Sequence, residues 1–570
     1  MSFVISDIQK TLHPKKVLPL LDRFTRPYPT NIDYLRRLNQ ELNIIQQKGF
    51  INCYLQVWDI VSIIKRKRIL WVLRGSAASS LVAYLMGIHD IDPMRENIPL
   101  ERFLNWTRED QPDFDIDVPY NRRDEVLEEI YEMYPNMVSR ISNRVMYQPK
   151  SALREAVRRM GYRKQLPKYF KIEKIFPHKD KQLECYQLAE SLIGTQRLWS
   201  KHCGGLIIWK DGIPQDLILK ENQILMDKYD VERENLIKID LLCNRGLAQL
   251  SELSDTNVSE YPINDELTSK LLCSGDVLGL TQSESRTMRK TILALQPKNM
   301  YDVALALALI RPAAADGGRK ARYFTNGKSE GFVYDEDALT FISSAVKCSL
   351  SQADKYRRGF ANENPKIIKE FTQLCNKKDV LDELKHLRKY SFSKGHSIAY
   401  GQMVWALAYH KARRPKEFWE ATLKHNQSSY RKWVHKREAI SKGVQLKNDI
   451  KECDINQFIK KGWWDGKEFL PNMGVEEKDG KVWFRGIVAN YRKLRRYGKT
   501  CVLMSIGVDN GKYVDLIFGD KKKYPFGYYW IVEGVGIKKE NFGSSFVEVE
   551  SFNCSNFKDS KEYKLSKWFW

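Results

Sequence analysis

The sequence predicts a multidomain α/β protein that ends in a small all-β domain, and three observations predict it. Strand-like segments at residues 69–73, 112–118 and 236–242 are interleaved with helical ones over the first 250 residues. Residues 250–425 are helix-rich. Five short segments of alternating polarity with glycine turns close the chain, at 482–488, 501–508, 513–518, 528–532 and 546–549. A chain of 570 residues has ample core for several such domains.

In chain order, residues 1–70 read as helices, with apolar positions at helical spacing from Tyr34 to Ile45 and again from Cys53 to Ile64. A short apolar strand at 69–73 leads into Arg74-Gly75-Ser76, and residues 77–86 read as a helix ending at Gly87. Strand, glycine turn and helix N-terminus together make a cradle in which backbone N–H groups can hold phosphate. Such turns are common and mostly structural. A more specific signal is Pro112-Asp113-Phe114-Asp115-Ile116-Asp117-Val118, which sets a carboxylate at every second position. In a strand those three share one face, while Phe114, Ile116 and Val118 pack behind. Hard oxygen ligands on a rigid strand suit Mg²⁺ or Mn²⁺. The plainer alternative is a charged strand edge that discourages aggregation.

Further on, Lys150 to Met160 is an amphipathic helix with a basic face, suited to phosphate contacts or simply to water. The segment Leu236-Ile237-Lys238-Ile239-Asp240-Leu241-Leu242 is a buried strand with two charges, Lys238 and Asp240, facing the same way. Residues 445–480 break the pattern and read as a linker. The five closing segments suggest a barrel whose first connection, Arg492-Lys493-Leu494-Arg495-Arg496-Tyr497, is a basic loop suited to single-stranded nucleic acid.

Charge narrows the partners. The chain carries 94 Lys and Arg against 71 Asp and Glu, a net +23, with basic clusters at 65–68, 492–496 and 521–523. A polyanion such as nucleic acid is the leading inference. Ten cysteines without a Cys-x-x-Cys pair argue against a zinc ribbon or a disulfide framework. With no signal pattern, and a longest apolar run confined to 303–310, a cytosolic protein without membrane contact is expected.

A glycine-serine turn followed by a strand of alternate aspartates is the order of a nucleotidyltransferase palm. The resemblance then becomes specific. Tyr54-Leu55-Gln56-Val57-Trp58-Asp59, Arg74-Gly75-Ser76-Ala77-Ala78-Ser79-Ser80, Glu101-Arg102-Phe103-Leu104-Asn105 and the aspartate strand resemble, in order, motifs of the bacterial C-family DNA polymerases, the α subunit of DNA polymerase III. His202-Cys203-Gly204-Gly205, the Lys238–Asp240 strand, Gln282-Ser283-Glu284-Ser285-Arg286-Thr287-Met288, Ala353-Asp354-Lys355-Tyr356-Arg357-Arg358 and Phe392-Ser393-Lys394-Gly395-His396 continue it.

The resemblance implies a palm in residues 1–148, with N-terminal helices, and 197–249; a helical thumb in 149–196; fingers in 250–425; a linker or reduced duplex-binding region in 426–479; and an OB-fold-like domain in 480–570. It makes Asp113, Asp115 and Asp240 the catalytic metal ligands, with two Mg²⁺ per site and Mn²⁺ able to substitute. Arg74, Gly75, Ser76, Arg102, Lys238, Arg357, Arg358, Tyr390, Lys394 and His396 would meet the nucleotide. Lys150, Arg154, Arg158, His202, Arg286, Arg492, Arg495 and Arg496 would meet DNA. Which two of Asp113, Asp115 and Asp117 bind metal is not a matter strand parity decides.

The implied activity is templated extension of a primer 3′-OH with dNTPs, without proofreading. Primer-template DNA and dNTPs are the expected partners, and a sliding clamp or another replisome protein is a further candidate. About 70 residues precede the Arg74 turn, too few for the family's amino-terminal phosphoesterase domain, so a minimal polymerase of bacterial or viral origin is expected. Trp71-Val72-Leu73 also stands where the family has glycines. A template-independent nucleotidyltransferase and a non-catalytic nucleic-acid-binding protein are the rival readings.

Overall fold

The computed structural model describes residues 14–556 apart from 28–30, 109, 168–169, 316–319, 321–322, 325–331, 389–391, 427–429, 431, 446–473, 497–498, 509–512, 520–529 and 542–543. Tyr390, most of the expected linker, Tyr497 and the end of the chain lie outside the described residues. The fold is a mixed α/β one with many helices and two mixed sheets. Strands of the first are β1 (Val72–Arg74), β2 (Phe114–Pro119), β3 (Val138–Met146), β4 (Gln196–Ile208), β5 (Ile218–Lys220), β6 (Gln223–Ile224) and β7 (Ile239–Asn244). Those of the second are β8 (Val475–Lys478), β9 (Lys481–Arg496), β10 (Lys499–Gly507), β11 (Tyr513–Phe518), β12 (Trp530–Asn541) and β13 (Ser544–Asn556). Two compact units share the chain: a smaller one of 109–114 and 124–242, and a larger one of 1–108, 115–123 and 243–570.

In the smaller unit, β4 is the backbone of the sheet. It pairs antiparallel with β3 from Val138↔Ile208 to Met146↔Gln196, and with β7 at Gly205↔Asp240. Ile141, Ile207, Ile224, Met226 and Val231 form the core beside these strands. The expected thumb is a helical element with a core of its own. Helices Pro149–Arg159 and Lys179–Leu192 bury Ala152, Ala156, Val157, Cys185, Ala189 and Leu192 at three-to-four-residue spacing.

In the larger unit, β1 pairs antiparallel with β2, placing Arg74 opposite Asp115 and Val72 opposite Asp117. Phe114, Ile116 and Val118 are fully buried, as the alternation predicts. The segment after β1 departs from expectation. Instead of one helix over 77–86, a 3₁₀ turn (Gly75–Ser79) is followed by an extended Ser80 and a short helix, Leu81–Leu85. The cause lies elsewhere in the chain: the Glu41 carboxylate, fully buried on helix Ile32–Gln47, accepts from Leu81 N at 2.8 Å and Val82 N at 3.3 Å, and from the Ser80 hydroxyl. Burial pushes the Glu41 pKa up, and Arg37 opposes the shift. The N-terminus of the short helix Leu81–Leu85 therefore already holds a carboxylate.

The rest of the larger unit holds two helical cores and the second sheet. One core packs helices Met300–Leu309, Lys394–Arg413 and Pro415–His425 around Leu307, Met403, Trp405, Phe418 and Trp419. The other packs Asp335–Val346, Leu350–Ala361 and Pro365–Leu374 around Tyr356, Phe360 and Phe371. The second sheet closes on itself. Its strand order β10-β11-β13-β12-β9 is completed by β9 pairing back onto β10, with β8 added at the open edge of β9. All pairings are antiparallel except β11 with β13. Phe484, Val502, Met504, Ile506, Leu516, Phe518 and Val532 fill the interior. The basic stretch expected as a loop is the second half of β9, paired from Leu503↔Arg492 to Lys499↔Arg496. Backbone hydrogen bonding to β10 keeps it extended where charge alone suggested a turn.

Glu41→Ala should destabilise the larger unit by about 3 kcal/mol, because two buried N–H groups and a hydroxyl lose their acceptor together. Chemical denaturation followed by circular dichroism checks this, and an unchanged midpoint would show that the short helix does not depend on Glu41.

Candidate active site

In the smaller unit, Asp240 is the second residue of β7, and Gly205 stands opposite it. A side chain at Gly205 would meet Ile141 at 2.6 Å, so only glycine lets β3 and β4 close here. Lys238, two residues before Asp240, donates to Asp240 Oδ2 at 2.5 Å and to Asp113 Oδ1 at 3.1 Å. Burial works against the Lys238 charge, but Asp113 and Asp240 outweigh it and the pKa rises. His202 turns Nδ1 toward the N–H groups of Gly205 (2.8 Å) and Gly204 (3.2 Å), so that nitrogen is an acceptor. Burial lowers the His202 pKa, with Asp240 pulling the other way. Neutral His202 therefore gives Asp240 no proton, although Nδ1 is 3.7 Å from Oδ1. Asp240 Oδ1 is left buried with no hydrogen-bond partner. An orphaned carboxylate oxygen costs on the order of 1–3 kcal/mol.

In the larger unit, Arg74 spans two aspartates of β2, with Nη1 3.2 Å from Asp115 Oδ2 and Nε 3.0 Å from Asp117 Oδ1. Burial opposes its charge, and Asp117 and Asp115 more than restore it. Asp117 is buried and fully engaged: Oδ2 also accepts from Asn244 Nδ2 at 2.8 Å and from Tyr400 OH at 2.7 Å. Burial, then Asp117, pushes the Tyr400 phenol well above its usual range, so it stays a donor. Gly75 adopts φ +83°, and a Cβ there would come within 3.4 Å of Asp115 Oδ2. Its carbonyl accepts from Ser393 Oγ at 3.1 Å. Ser76 is half-buried in the same turn. Among the described residues, the acidic group able to hold a metal ion is Asp113, Asp115 and Asp240. Asp117, with both oxygens already engaged, is not in it.

The expected nucleotide-binding cations are all tied to acidic or carbonyl oxygens. Arg102 donates through Nε and Nη2 to Asp335 Oδ2 at 3.0 and 2.7 Å. Arg357 donates twice to Asp354 Oδ1, and Arg358 Nε is 3.1 Å from Asp354 Oδ2. Lys394 donates through Nζ to the Glu96 carbonyl at 2.5 Å and through its backbone N–H to Glu336 Oε2 at 2.8 Å. His396 stacks on Phe392 at 4.3 Å and meets Tyr400 edge-on at 4.7 Å. Burial, then Arg74 and Arg311, lowers its pKa to about 3, so the ring is neutral. The carboxylates under these cations escaped the sequence reading. The spacing from Asp354 to Arg357 and Arg358, three and four residues on one helix, was the signal that could have found one of them. Glu336 is wholly buried, and burial, then Asp335, pushes its pKa up to about 7.

The expected DNA contacts divide. Lys150 and Arg158 are exposed on helix Pro149–Arg159. Arg154 instead braces its own unit, donating to the carbonyls of Pro167 and Leu166 at 2.7 Å. His202 faces Asp240 rather than an outer surface. Arg286 is mostly buried, and its Nε donates to Asp515 Oδ2 on β11 at 2.6 Å, so it ties a helix to the barrel. Arg492 is exposed and donates to Thr287 Oγ1 at 3.3 Å; Arg495 and Arg496 continue the same strand.

Comparison with known proteins adds to this geometry. Residues 13–243 match the family model described as the bacterial DNA polymerase III alpha NTPase domain, and residues 243–380 that of the bacterial DNA polymerase III alpha subunit finger domain. The chain is 29% identical over 464 residues to the DNA polymerase III subunit alpha of Bacillus subtilis (strain 168), covering 70% of this chain and 41% of that protein. It is 28% identical over 488 residues to an error-prone DNA polymerase of Saccharophagus degradans, covering 74% and 47%. To the DNA polymerase III subunit alpha of Thermotoga maritima it is 28% identical over 473 residues, covering 78% and 53%. The matched region is thus about half the length of these relatives.

Two measurements test the site. Asp113→Asn and Asp240→Asn should each weaken Mn²⁺ binding, read by electron paramagnetic resonance, by roughly tenfold or more. Asp117→Asn should weaken it less and chiefly lower stability, by about 2 kcal/mol; the reverse order would make Asp117 a ligand. For Glu336 the sign is that of a carboxyl whose pKa is raised on folding. Its contribution is most favourable at low pH and is lost as pH rises from the ordinary value of 4.5 through about 7. Glu336→Gln should match wild type near pH 5 and be the more stable protein at pH 8.5, by up to about 3 kcal/mol. Parallel pH–stability curves would refute this.

Proposed function

Because the chain belongs to the bacterial DNA polymerase III α family, with residues 13–380 matched by two of its consecutive domains, we propose that it is a DNA-directed DNA polymerase. It extends a primer 3′-OH along a template with dNTPs, in the cytosol. The observation that carries the reading is Asp240. A buried carboxylate oxygen without a partner, beside an ammonium that already bridges Asp240 to Asp113, is a place that calls for further positive charge. Asp113, Asp115 and Asp240 fit Mg²⁺, all offering hard oxygens, and Mn²⁺ can substitute.

Two such ions supply, when bound, a lowered pKa for the primer hydroxyl and charge neutralisation at the leaving pyrophosphate. The side chains do the rest. Arg74 holds Asp115 in place, and Asp117, itself held by Asn244 and Tyr400, holds Arg74. Lys238 keeps a fixed positive charge beside the ligands for a phosphate oxygen. Arg102, Arg357, Arg358 and Lys394 form the binding surface for the triphosphate.

The domain reading is part of the proposal: palm in 1–148 and 197–249, thumb in 149–196, fingers in 250–425 and an OB-fold in 480–570. The strand order β9-β10-β11-β13-β12 with one parallel pair, β11 with β13, is that of an OB-fold and supports the last of these. Exposed Lys150 and Arg158 on the thumb give the sequence-independent phosphate contacts that a polymerase needs.

Primer extension on templates of defined sequence tests the proposal. Asp113→Ala, Asp115→Ala and Asp240→Ala should each lose about 10³-fold or more in rate while duplex binding persists, since duplex affinity comes from distributed phosphate contacts. Near-wild-type extension by any one of them would remove that residue from the ligand set. Untemplated tailing as fast as templated extension would favour the template-independent reading.

A further inference from the structure

We propose that Asp354 is a positioning residue for the incoming triphosphate, a single buried carboxylate that fixes Arg357 and Arg358 in their binding orientation before the nucleotide arrives. The proposal rests on the polymerase reading above.

Helix Leu350–Ala361 begins on a Ser349 cap and places Asp354, Arg357 and Arg358 on one face, at spacings of three and four. On a solvated helix such pairs contribute little. This one differs because Asp354 is 0% exposed, taken wholly out of water between two guanidinium groups. Oδ1 accepts from Arg357 Nε at 3.0 Å and Nη2 at 2.9 Å. Oδ2 lies 3.1 Å from Arg358 Nε and 3.4 Å from Asn105 Nδ2. Both oxygens are committed, and the amide of Asn105, from another part of the larger unit, locks the carboxylate's rotation.

The edges used matter. Asp354 takes the Nε–Nη2 edge of Arg357, whose side chain is 10% exposed, so a second anion meets this guanidinium on its end-on Nη1–Nη2 edge. An arginine side chain is long and loses considerable rotamer freedom when it binds phosphate. Asp354 imposes that loss in the folded protein, so nucleotide binding does not bear it. A burial made only for stability is a poor account of the arrangement, because apolar residues of similar volume stabilise as well as a buried ion pair. Asn105 belongs to the segment that also carries Arg102, whose guanidinium feels the Asp354 charge in addition to that of Asp335 and Glu336. One carboxylate thus holds Arg357 by two hydrogen bonds, pairs with Arg358 by charge, and lies within the field of a third cation.

The test is steady-state kinetics of primer extension by the full chain, with binding of inorganic tripolyphosphate measured by calorimetry beside it. Asp354→Asn should raise KM for dNTP about tenfold or more, weaken tripolyphosphate binding to match, and leave kcat and duplex affinity within about threefold. A variant that is merely less folded shows the opposite split, lower kcat at unchanged KM. In an Arg357→Ala/Arg358→Ala background, adding Asp354→Asn should change KM no further. Unchanged KM in the single variant, or an undiminished increase in the arginine-less background, overturns the proposal. If Asp354→Asn does not fold, Asn105→Ala carries the test: it removes the amide that holds Oδ2, together with that amide's bonds to the Glu101 carbonyl and Thr107, and leaves both arginines and Asp354 in place; KM rises at constant kcat, or the proposal falls. Wild type that neither extends templated primers nor binds tripolyphosphate would sink the polymerase reading instead; wild type that does both, with constants Asp354→Asn leaves unchanged, would sink the role of Asp354 alone.

Discussion

A carboxylate removed from water must find positive charge or hydrogen-bond donors, and that demand organises the surroundings of the site. The acidic residues meet it to different degrees, and the degree tells their jobs apart. Asp117 has Arg74, Asn244 and Tyr400 and wants nothing more. Asp354 has two guanidiniums and an amide. Asp240 has one ammonium and one bare oxygen. Asp117 and Asp354 are thus saturated, whereas Asp240 keeps one buried oxygen outside any hydrogen bond.

The same demand explains why the arginines and lysines of the helical region are not loose surface charges. Each rests on an oxygen, whether of Asp335, Asp354 or the Glu96 carbonyl. Asp335 and Asp354 sit within helices packed around Phe371, and Lys394 opens the helix that carries Trp405, so the orientation of the positive surface is inherited from apolar packing. Electrostatics and core are one construction here: a cavity opened under helix Leu350–Ala361 would misaim Arg357 as surely as a change at Asp354.

How much could be read from the sequence depended on range. The β2 strand was legible because period-two alternation is local, and Phe114, Ile116 and Val118 did as their spacing implied. Lys238 and Asp240 were legible for the same reason, as were the five closing strands, and helix Pro149–Arg159 was legible from its helical period. The role of Asp117 was not, because its deciding partners Asn244 and Tyr400 lie 127 and 283 residues away. The helix expected over 77–86 was broken by Glu41, some 40 residues upstream, whose carboxylate no propensity records. Arg286 looked like a phosphate contact until Asp515 on β11 buried it, and Arg492–Arg496 looked like a loop until β10 paired with it. In each case a distant partner overrode a local signal.

The bond between Tyr400 and Asp117 also has a history in time. A chain made from its N-terminus at about 5–20 residues per second exposes Arg74 and Asp117 early, and 283 residues must be added after Asp117 before Tyr400 exists. For roughly 15 to 60 s the nascent strand carries its aspartates with that donor missing. Of the three donors to Asp117, Arg74 precedes it in the chain, Asn244 follows 127 residues later and Tyr400 last of all. Synthesis thus delivers the aspartate strand well before two of the side chains that steady Asp117.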